Sequence, residues 1–301
     1  MPPAPASPEQ LLIFTDLDGS LLDPVTYSWD KARDALEQLS RREIPLILVS
    51  SKTRAEIEPL RLDLQHRHPF IAENGGAIFI PDGYFTSASA EARLRDGFEV
   101  IELGTPYASL LRALRDIEHA AGTKLRGFHD MTVDEVAART GLTLDEAELA
   151  MRREYDEPFI LEGPPSLFPV VQREAAERQL SVTTGGRFHH LIGESDKGRA
   201  CLHLLDRYRR HWHRSSQAIR SIGLGDSAND QPMLEVVDVP IAIQHADGSY
   251  DPDLRVAKLV KARGVGPVGW NSAVLDQLSP SPARTRRKRQ ETKRPTPPSS
   301  G

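Results

Sequence analysis

The sequence predicts an α/β protein whose core is a doubly wound parallel sheet, with a second α+β domain inserted into that core. Short apolar runs that resemble buried strands alternate with amphipathic helical patterns, which is typical of parallel βαβ units rather than of a β-sandwich. The alternation breaks off over a long middle stretch and then returns. A chain of 301 residues is long enough for two domains.

Four strands and two helices of the core are predicted from the sequence. The predicted strands are residues 11–15, 46–49, 70–72 and 221–224. One helix follows Ser28, a suitable N-cap, and its apolar face comprises Ala32, Ala35, Leu36 and Leu39. In a later helix the apolar face comprises Cys201, Leu204, Leu205 and Tyr208. We therefore expect the only cysteine, Cys201, to pack in the core, and it has no partner for an intramolecular disulfide.

The inserted domain, called the cap below, is recognised by a change of pattern. Two capping boxes, Thr132-x-x-Glu135 and Thr143-x-x-Glu146, each open a short helix there. We predict the core at residues 10–84 and 190–280 and the cap at residues 85–189. The ends, residues 1–9 and 281–301, are rich in proline, serine and charge, and this composition predicts disordered tails.

Charge and hydropathy restrict the partners. The net charge is −5, yet residues 284–294 hold seven basic residues and one acidic residue, so the rest of the chain is more acidic still. An acidic body argues against nucleic-acid binding, except for weak contact by the basic tail. No stretch approaches the roughly 18 apolar residues that span a bilayer. The N-terminus lacks the features of a secretion signal, so we expect no membrane partner and a cytoplasmic location.

Acidic residues follow two of the predicted strands. Asp16 and Asp18 come after the first strand, and Asp226 and Asp230 come after the run at 221–224. The carboxyl ends of parallel strands meet at one edge of a sheet, where α/β proteins bind ligands. Hard carboxylate oxygens predict Mg²⁺ as the cofactor. Taken alone, each string also fits a turn, a helix cap or a calcium loop.

Ser50 ends the predicted strand at 46–49, and Lys197 stands at a predicted helix start. A hydroxyl and a lysine at such positions suit the binding of phosphoryl oxygens. Ser51 is the alternative to Ser50. Taken singly, a strand-end serine and a helix lysine more commonly have structural roles.

The sequence thus carries four motifs in order: the acids after residue 15, the hydroxyl at Ser50, the lysine at Lys197 and the acids after residue 225. Together they resemble the motifs of the haloacid dehalogenase-like phosphatases. A finer resemblance, to the mannosyl-3-phosphoglycerate phosphatases, runs from about residue 11 to about residue 277. It is carried by residues 50–56, 73–78, 153–159, 185–191 and 266–271. The resemblance implies a Rossmann-like core with an α+β cap. It also implies Mg²⁺-dependent hydrolysis of mannosyl-3-phosphoglycerate, a small phosphorylated sugar-glycerate, to mannosylglycerate through an aspartyl-phosphate.

The resemblance also assigns roles. Asp16 is the expected nucleophile and Asp18 the acid/base, while Ser50 and Lys197 hold the phosphoryl group. Mg²⁺ is expected at Asp16, the Asp18 carbonyl and Asp226, with Asp230 holding its waters. The expected substrate-binding residues are Lys52, Asn74, Gly75, Gly76, Arg187 and His189, and Arg152, Arg153 and Tyr155 are candidates for closing over the sugar.

Each substrate-binding assignment has a structural alternative: a tight turn at 73–76, a solvated loop lysine, a surface hairpin at 185–189, or a helix end at 152–155. Glucosyl-3-phosphoglycerate is the closest competing substrate. Other sugar phosphatases and a phosphomannomutase-like enzyme are the next alternatives within the enzyme class. A noncatalytic phospholigand-binding protein is disfavoured, because a pure binder gains nothing from two carboxylates that face a phosphate.

Overall fold

The computed structural model of the protein describes residues 10–87, 89–185, 188–212 and 218–279. Both predicted tails lie outside the described residues. Strands and helices are numbered in chain order. The strands are β1 (Gln10–Thr15), β2 (Leu46–Val49), β3 (Phe70–Ala72), β4 (Ala77–Pro81), β5 (Arg93–Arg95), β6 (Phe98–Glu102), β7 (Lys124–Gly127), β8 (Asp156–Glu162), β9 (Ser181–Gly185), β10 (Phe188–Ile192), β11 (Ile219–Gly225), β12 (Val239–Gln244) and β13 (Val260–Val265). The α-helices are α1 (Arg33–Arg41), α2 (Arg54–Asp63), α3 (Tyr107–Ala121), α4 (Val133–Thr140), α5 (Leu144–Ala150), α6 (Phe168–Ala176), α7 (Lys197–Trp212), α8 (Gln231–Glu235) and α9 (Pro267–Leu278).

A nine-stranded sheet forms the core, in the order β13-β12-β11-β1-β2-β3-β4-β6-β5. The pairs from β13 to β3 are parallel, and those from β3 to β5 are antiparallel. One face packs against α1 and α9, and the other packs against α7 and α8. This confirms the doubly wound core and all four predicted strands.

The apolar residues that predicted the helices are buried where expected. On α1 and the turn before it, Ala32, Ala35 and Leu39 are buried. On α7, Cys201 and Tyr208 are buried, as are the leucines between them. At roughly 25 cal/mol per Å² of apolar surface removed from water, these side chains supply much of the attachment of both helices to the sheet.

The cap is a four-stranded antiparallel sheet in the order β7-β8-β10-β9. Apolar residues of α3 and α6 pack with Phe159 of β8 and Leu191 of β10 in one cluster. Phe188 of β10 packs with residues of α4 and α5 in another. Both predicted capping boxes are present, at the starts of α4 and α5.

The cap boundaries differ from the expected 85–189. Strands β5 and β6 lie after residue 85 but belong to the core sheet, and β10 of the cap sheet ends at Ile192 rather than at residue 189. The expected boundary came too early because β6 pairs antiparallel with β4, and β5 pairs antiparallel with β6, outside the parallel pattern. Asp96 and Gly97 between them have φ values of 50° and 80°, which is the Asp-Gly hairpin signal that the sequence does carry.

The chain crosses from core to cap between β6 and α3 and returns between β10 and α7. The two crossings touch each other. A Cβ on Gly193 would lie 2.6 Å from Thr105 Oγ1, and a Cβ on Gly104 would lie 2.9 Å from the Cα of Gly76. A side chain at Gly193 would therefore push the two crossings apart, and one at Gly104 would push the first crossing away from the turn at 73–76.

Candidate active site

Three carboxylates meet at the carboxyl end of the parallel strands. Strand β1 ends at Thr15, and the backbone N–H of Asp16 donates to Leu224 O of β11 at 2.9 Å. Carboxylate oxygens of Asp16, Asp226 and Asp230 lie within 4.8 Å of one another. The two acidic motifs, distant in sequence, therefore form one cluster, as the parallel strand order predicted.

Lys197 is inserted into this cluster from the start of α7. Its Nζ donates to Asp16 Oδ1 and to Asp230 Oδ1, each at 2.7 Å, and the lysine is 1 % exposed. Burial alone would lower the pKa of Lys197, but the two carboxylates raise the pKa above its usual value. The lysine is therefore a fixed positive charge at the centre of the site.

The carboxylates are more numerous than the single ammonium can offset. Burial, followed by repulsion from Asp230, raises the pKa of Asp16 well above its usual value. The same two causes raise the pKa of Asp226 to about 7. Carboxylates that repel in this way suit a hard divalent cation, which supplies the missing positive charge.

A glycine lets the loop after β1 approach Asp226. Gly19 has φ of 79°, and a Cβ there would lie 2.7 Å from Asp226 Oδ2. Asp230 holds the neighbouring loop, because its Oδ2 accepts the N–H groups of Asp226 and Ser227 at 3.0 and 3.2 Å.

Asp18 and Lys52 form a separate pair beside the cluster. Asp18 Oδ1 lies 3.1 Å from Lys52 Nζ, and the Asp18 side chain is 39 % exposed. The ring of Tyr27 lies against the same ammonium, with 5.1 Å from Nζ to the ring centroid. The carboxylate of Asp18 is therefore more exposed than those of Asp16 and Asp230, whose side chains are 10 % and 0 % exposed.

Ser50 and Ser51 are distinguished by their contacts. Ser50 is fully buried, and its Oγ accepts the N–H of Lys52 at 3.1 Å. That contact leaves the hydroxyl proton available. The carbonyl of Ser51 instead accepts Arg153 Nη1 at 2.9 Å, which joins the core to the cap.

The turn at 73–76 is packed from several sides. The N–H of Asn74 donates to Ser50 O, and the Asn74 Oδ1 accepts Asn229 Nδ2, both at 3.0 Å. A Cβ on Gly75 would lie 2.2 Å from Asp196 O, and one on Gly76 would lie 2.4 Å from Tyr155 Cβ. In the structure these glycines allow close approach of α7 and of the cap.

Of the residues expected to bind substrate in the 185–189 hairpin, the structure describes His189. Arg187 and the neighbouring Gly186 lie outside the described residues. His189 points to the outer face of the cap sheet, where its ring stacks on Phe168 at 4.2 Å between centroids. The adjacent His190 points the other way and contacts Asp156.

Several contacts of the site were not anticipated from the motifs. Trp270 Nε1 donates to Thr15 Oγ1 at 2.8 Å, next to Asp16, and it belongs to the segment 266–271 that carried part of the resemblance. His245 Nε2 lies 2.8 Å from Asp226 O, and nothing in its sequence neighbourhood pointed to that contact.

A sequence profile of haloacid dehalogenase-like hydrolases matches residues 13–92. The fold is similar to that of a haloacid dehalogenase-like hydrolase from Bacteroides thetaiotaomicron. The TM-score is 0.60 at 15 % identity, over 89 % of this chain and 100 % of the other. The protein therefore has the fold of the haloacid dehalogenase-like hydrolases, with a Rossmann-like core and a cap.

Two curated relatives are similar over most of their length. A glucosyl-3-phosphoglycerate/mannosyl-3-phosphoglycerate phosphatase of Methanococcoides burtonii is 44 % identical over 89 % of this chain and 97 % of its own. A mannosyl-3-phosphoglycerate phosphatase of Pyrococcus horikoshii is 40 % identical over 75 % of this chain and 88 % of its own. The chain belongs to this family of phosphatases within the haloacid dehalogenase superfamily, and it is a phosphoric monoester hydrolase.

Among the described residues, no helix combines the length and the apolar character needed to cross a bilayer.

Proposed function

We propose that this phosphatase uses Mg²⁺ and the nucleophile Asp16 to hydrolyse mannosyl-3-phosphoglycerate to mannosylglycerate and phosphate. The observation that carries the proposal is the placement of Asp16, whose carboxylate contacts the ammonium of Lys197 and lies within 4.8 Å of carboxylate oxygens of Asp226 and Asp230. The substrate assignment rests on the relatives named above. Because one of them is named for both substrates, glucosyl-3-phosphoglycerate is the second candidate.

The first chemical step is attack by an Asp16 oxygen on phosphorus. The bond from phosphorus to the ester oxygen breaks, and Asp16 becomes an aspartyl-phosphate. Asp18 gives a proton to the departing oxygen, which suits its accessible carboxylate. In the second step Asp18 takes a proton from a water that attacks phosphorus, which releases phosphate and restores Asp16.

Two neighbouring side chains hold the phosphoryl group. Lys197 presents a positive charge to the phosphoryl oxygens, and Ser50 donates its hydroxyl proton. Phosphoryl transfer depends chiefly on such preorganised charges. Lys52, which lies 3.1 Å from Asp18, is the proposed partner of the glycerate carboxylate. Arg187 remains a second candidate for that carboxylate on sequence grounds alone.

The residues present fit Mg²⁺. Asp16 and Asp226 supply hard oxygens beside an uncompensated negative charge, and the Asp18 carbonyl is the proposed third ligand. Asp230 fixes Lys197 and the loop that carries Asp226, so it supports these ligands and is proposed to hold water of the ion. Mg²⁺, when bound, would stabilise the charge that develops on the phosphoryl group.

The substrate assignment is tested by phosphate release. We expect the wild-type protein with Mg²⁺ to prefer mannosyl-3-phosphoglycerate or its glucosyl counterpart over mannose 6-phosphate and 3-phosphoglycerate. Asp16→Asn should abolish release because the amide is a poor nucleophile, while its thermal unfolding midpoint should show that the fold persists. Full activity of that variant would rule out Asp16 as the nucleophile.

Metal binding is tested by a readout other than activity. Mg²⁺ should raise the thermal unfolding midpoint, because a ligand that binds only the folded state stabilises it. Asp226→Asn should diminish this rise, whereas Asp116→Asn, on the exposed side of α3, should leave it unchanged. An equal rise in the wild-type protein and both variants would place the ion elsewhere.

A further inference from the structure

Two neighbouring histidines on β10 face opposite sides of the cap sheet. His189 lies against Phe159 and Phe168 on the side that α6 covers. Side chains alternate along a strand, so His190 lies on the other side, as does Phe188, which packs with α4 and α5. This second side contacts the core, since Leu149 O at the end of α5 accepts Thr53 Oγ1 at 3.0 Å.

His190 is held there by a buried carboxylate. Its Nδ1 lies 3.0 Å from both Oδ1 and Oδ2 of Asp156, which is fully buried. Asp156 also accepts Asn74 Nδ2 at 3.3 Å and lies 3.8 Å from Arg153 Nη1. A buried carboxylate is costly unless it is paired, and this one fixes the orientation of an imidazole ring.

A chain of hydrogen bonds connects this pair to the acidic cluster. Asn74 accepts Asn229 Nδ2 at 3.0 Å, and Asn229 precedes Asp230 directly in the chain. The backbone N–H of Asn74 also donates to Ser50 O. His190 is therefore linked through Asp156 and Asn74 to Ser50 and to the loop that carries Asp230.

The second nitrogen of the ring is available for a ligand. The His190 side chain is 15 % exposed, and its Nε2 has no hydrogen-bond partner within the described ranges. We propose that His190, oriented by Asp156, is a specificity-determining residue whose Nε2 hydrogen-bonds an oxygen of the substrate beyond the phosphate. This inference rests on the proposed function, because it assigns a contact to the glyceryl or sugar part of that substrate.

The test compares kcat/KM of His190→Ala and His189→Ala on mannosyl-3-phosphoglycerate and on p-nitrophenyl phosphate, which shares only the phosphate. We expect His190→Ala to lose about tenfold or more on the first substrate and less than about twofold on the second, because it removes binding outside the reacting centre. His189→Ala should change neither value by more than about twofold. It controls for loss of a ring from the same strand.

Asp156→Asn provides a second variant, since it disturbs the ring orientation without removing the ring, and we expect it to reproduce the selective loss. Thermal unfolding midpoints separate such losses from misfolding. Equal losses of His190→Ala on both substrates, or no loss on either, would overturn the proposal.

A third substrate, 3-phosphoglycerate, identifies the oxygen that His190 contacts. A loss that persists on 3-phosphoglycerate places the contact on the glyceryl part, and a loss confined to the mannosyl compound places it on the sugar. The proposed function is judged separately, on the wild-type protein alone. It fails if the wild-type protein does not prefer the glycosyl-3-phosphoglycerates, whatever the ratio between variant and wild type.

Discussion

At the scale of single residues, Asp16, the proposed nucleophile, is positioned by contacts of its backbone as well as of its carboxylate. Trp270 Nε1 donates to Thr15 Oγ1 at 2.8 Å, and the Thr15 hydroxyl donates to Asp16 O at 2.7 Å. Trp270 and Thr15 are fully buried. The backbone of Asp16 is thus tied through Thr15 to α9 and through Leu224 to β11.

Replacing Thr15 by valine should break this chain without changing its shape. The Trp270 N–H would then be buried without a partner, which costs about 1–3 kcal/mol. We expect a lower free energy of unfolding in urea and a reduced kcat. Thr15→Ser keeps the hydroxyl and should recover most of both. Equal defects in the two variants would attribute the effect to packing of the methyl group.

The meeting of Asp16, Asp226 and Asp230 at one sheet edge was predictable because a strand end is visible in sequence as an apolar run that stops at an acid or a hydroxyl. The cap residues were less so. His189 was expected to bind substrate, whereas the structure turns it away from the acidic cluster and turns His190 toward the core. Adjacent residues of a strand face opposite sides, and the sequence alone does not say which side meets the core.

At the scale of elements, the turn after β3 connects the two domains. Glu73 and Asn74 have φ values of 48° and 57°, which place the Glu73 carboxylate beneath the start of β8. There it accepts the N–H groups of Glu154 and Tyr155 at 2.8–3.1 Å. Burial raises the pKa of Glu73 to about 8, although Arg153 and these N–H groups oppose the rise.

This pKa predicts a pH-dependent stability. The ordinary value is 4.5 and the folded value is about 8, so between these limits the folded state binds more protons than the unfolded state. Stability should therefore fall as pH rises from about 5 to about 9. Glu73→Gln should reduce the pH dependence of the thermal midpoint over that interval and leave the part due to Asp16 and Asp226, whose pKa values are also raised. Glu37→Gln, exposed on α1, should retain the wild-type slope. A wild-type slope in Glu73→Gln would assign the titration to another group.

The positions of strands were predictable in the part of the core sheet where neighbouring strands are parallel. Each of the four predicted strands is present, because buried parallel strands appear as continuous apolar runs. The hairpin of β5 and β6 was assigned to the cap instead. Strand β5 has little buried surface, with Arg93 and Leu94 exposed, so it lacks the apolar run that marked the others.

At the scale of the whole molecule, Arg153 joins the domains through charge and hydrogen bonds. Its side chain is 7 % exposed. Its Nε donates to Ala150 O in the cap at 2.7 Å, and its Nη1 donates to Ser51 O in the core at 2.9 Å. It also lies 3.9 Å from Glu56 of α2. The inserted arrangement was predictable from the order of the motifs, but this contact depends on how the two domains meet.

Arg153→Ala should weaken the attachment of the cap. Removing one partner of a buried ionic network leaves the carboxylates of Glu56 and Asp156 with less compensation, and breaking such a network costs up to about 3–5 kcal/mol. We expect a lower urea midpoint and separate transitions for cap and core. Arg152→Ala removes an exposed arginine paired with Glu148 and should cost less than about 1 kcal/mol. Similar losses in both variants would contradict a special role for Arg153.

The two crossings between core and cap lie against each other at Thr105 and Gly193. This arrangement affects how such a protein can evolve. A segment whose entry and exit are adjacent can be exchanged for another without cutting a strand of the nine-stranded sheet. The acidic cluster and its sheet can then be inherited unchanged while the inserted segment is replaced. New substrates become accessible by recombination at one place, and the phosphoryl chemistry does not have to be invented again.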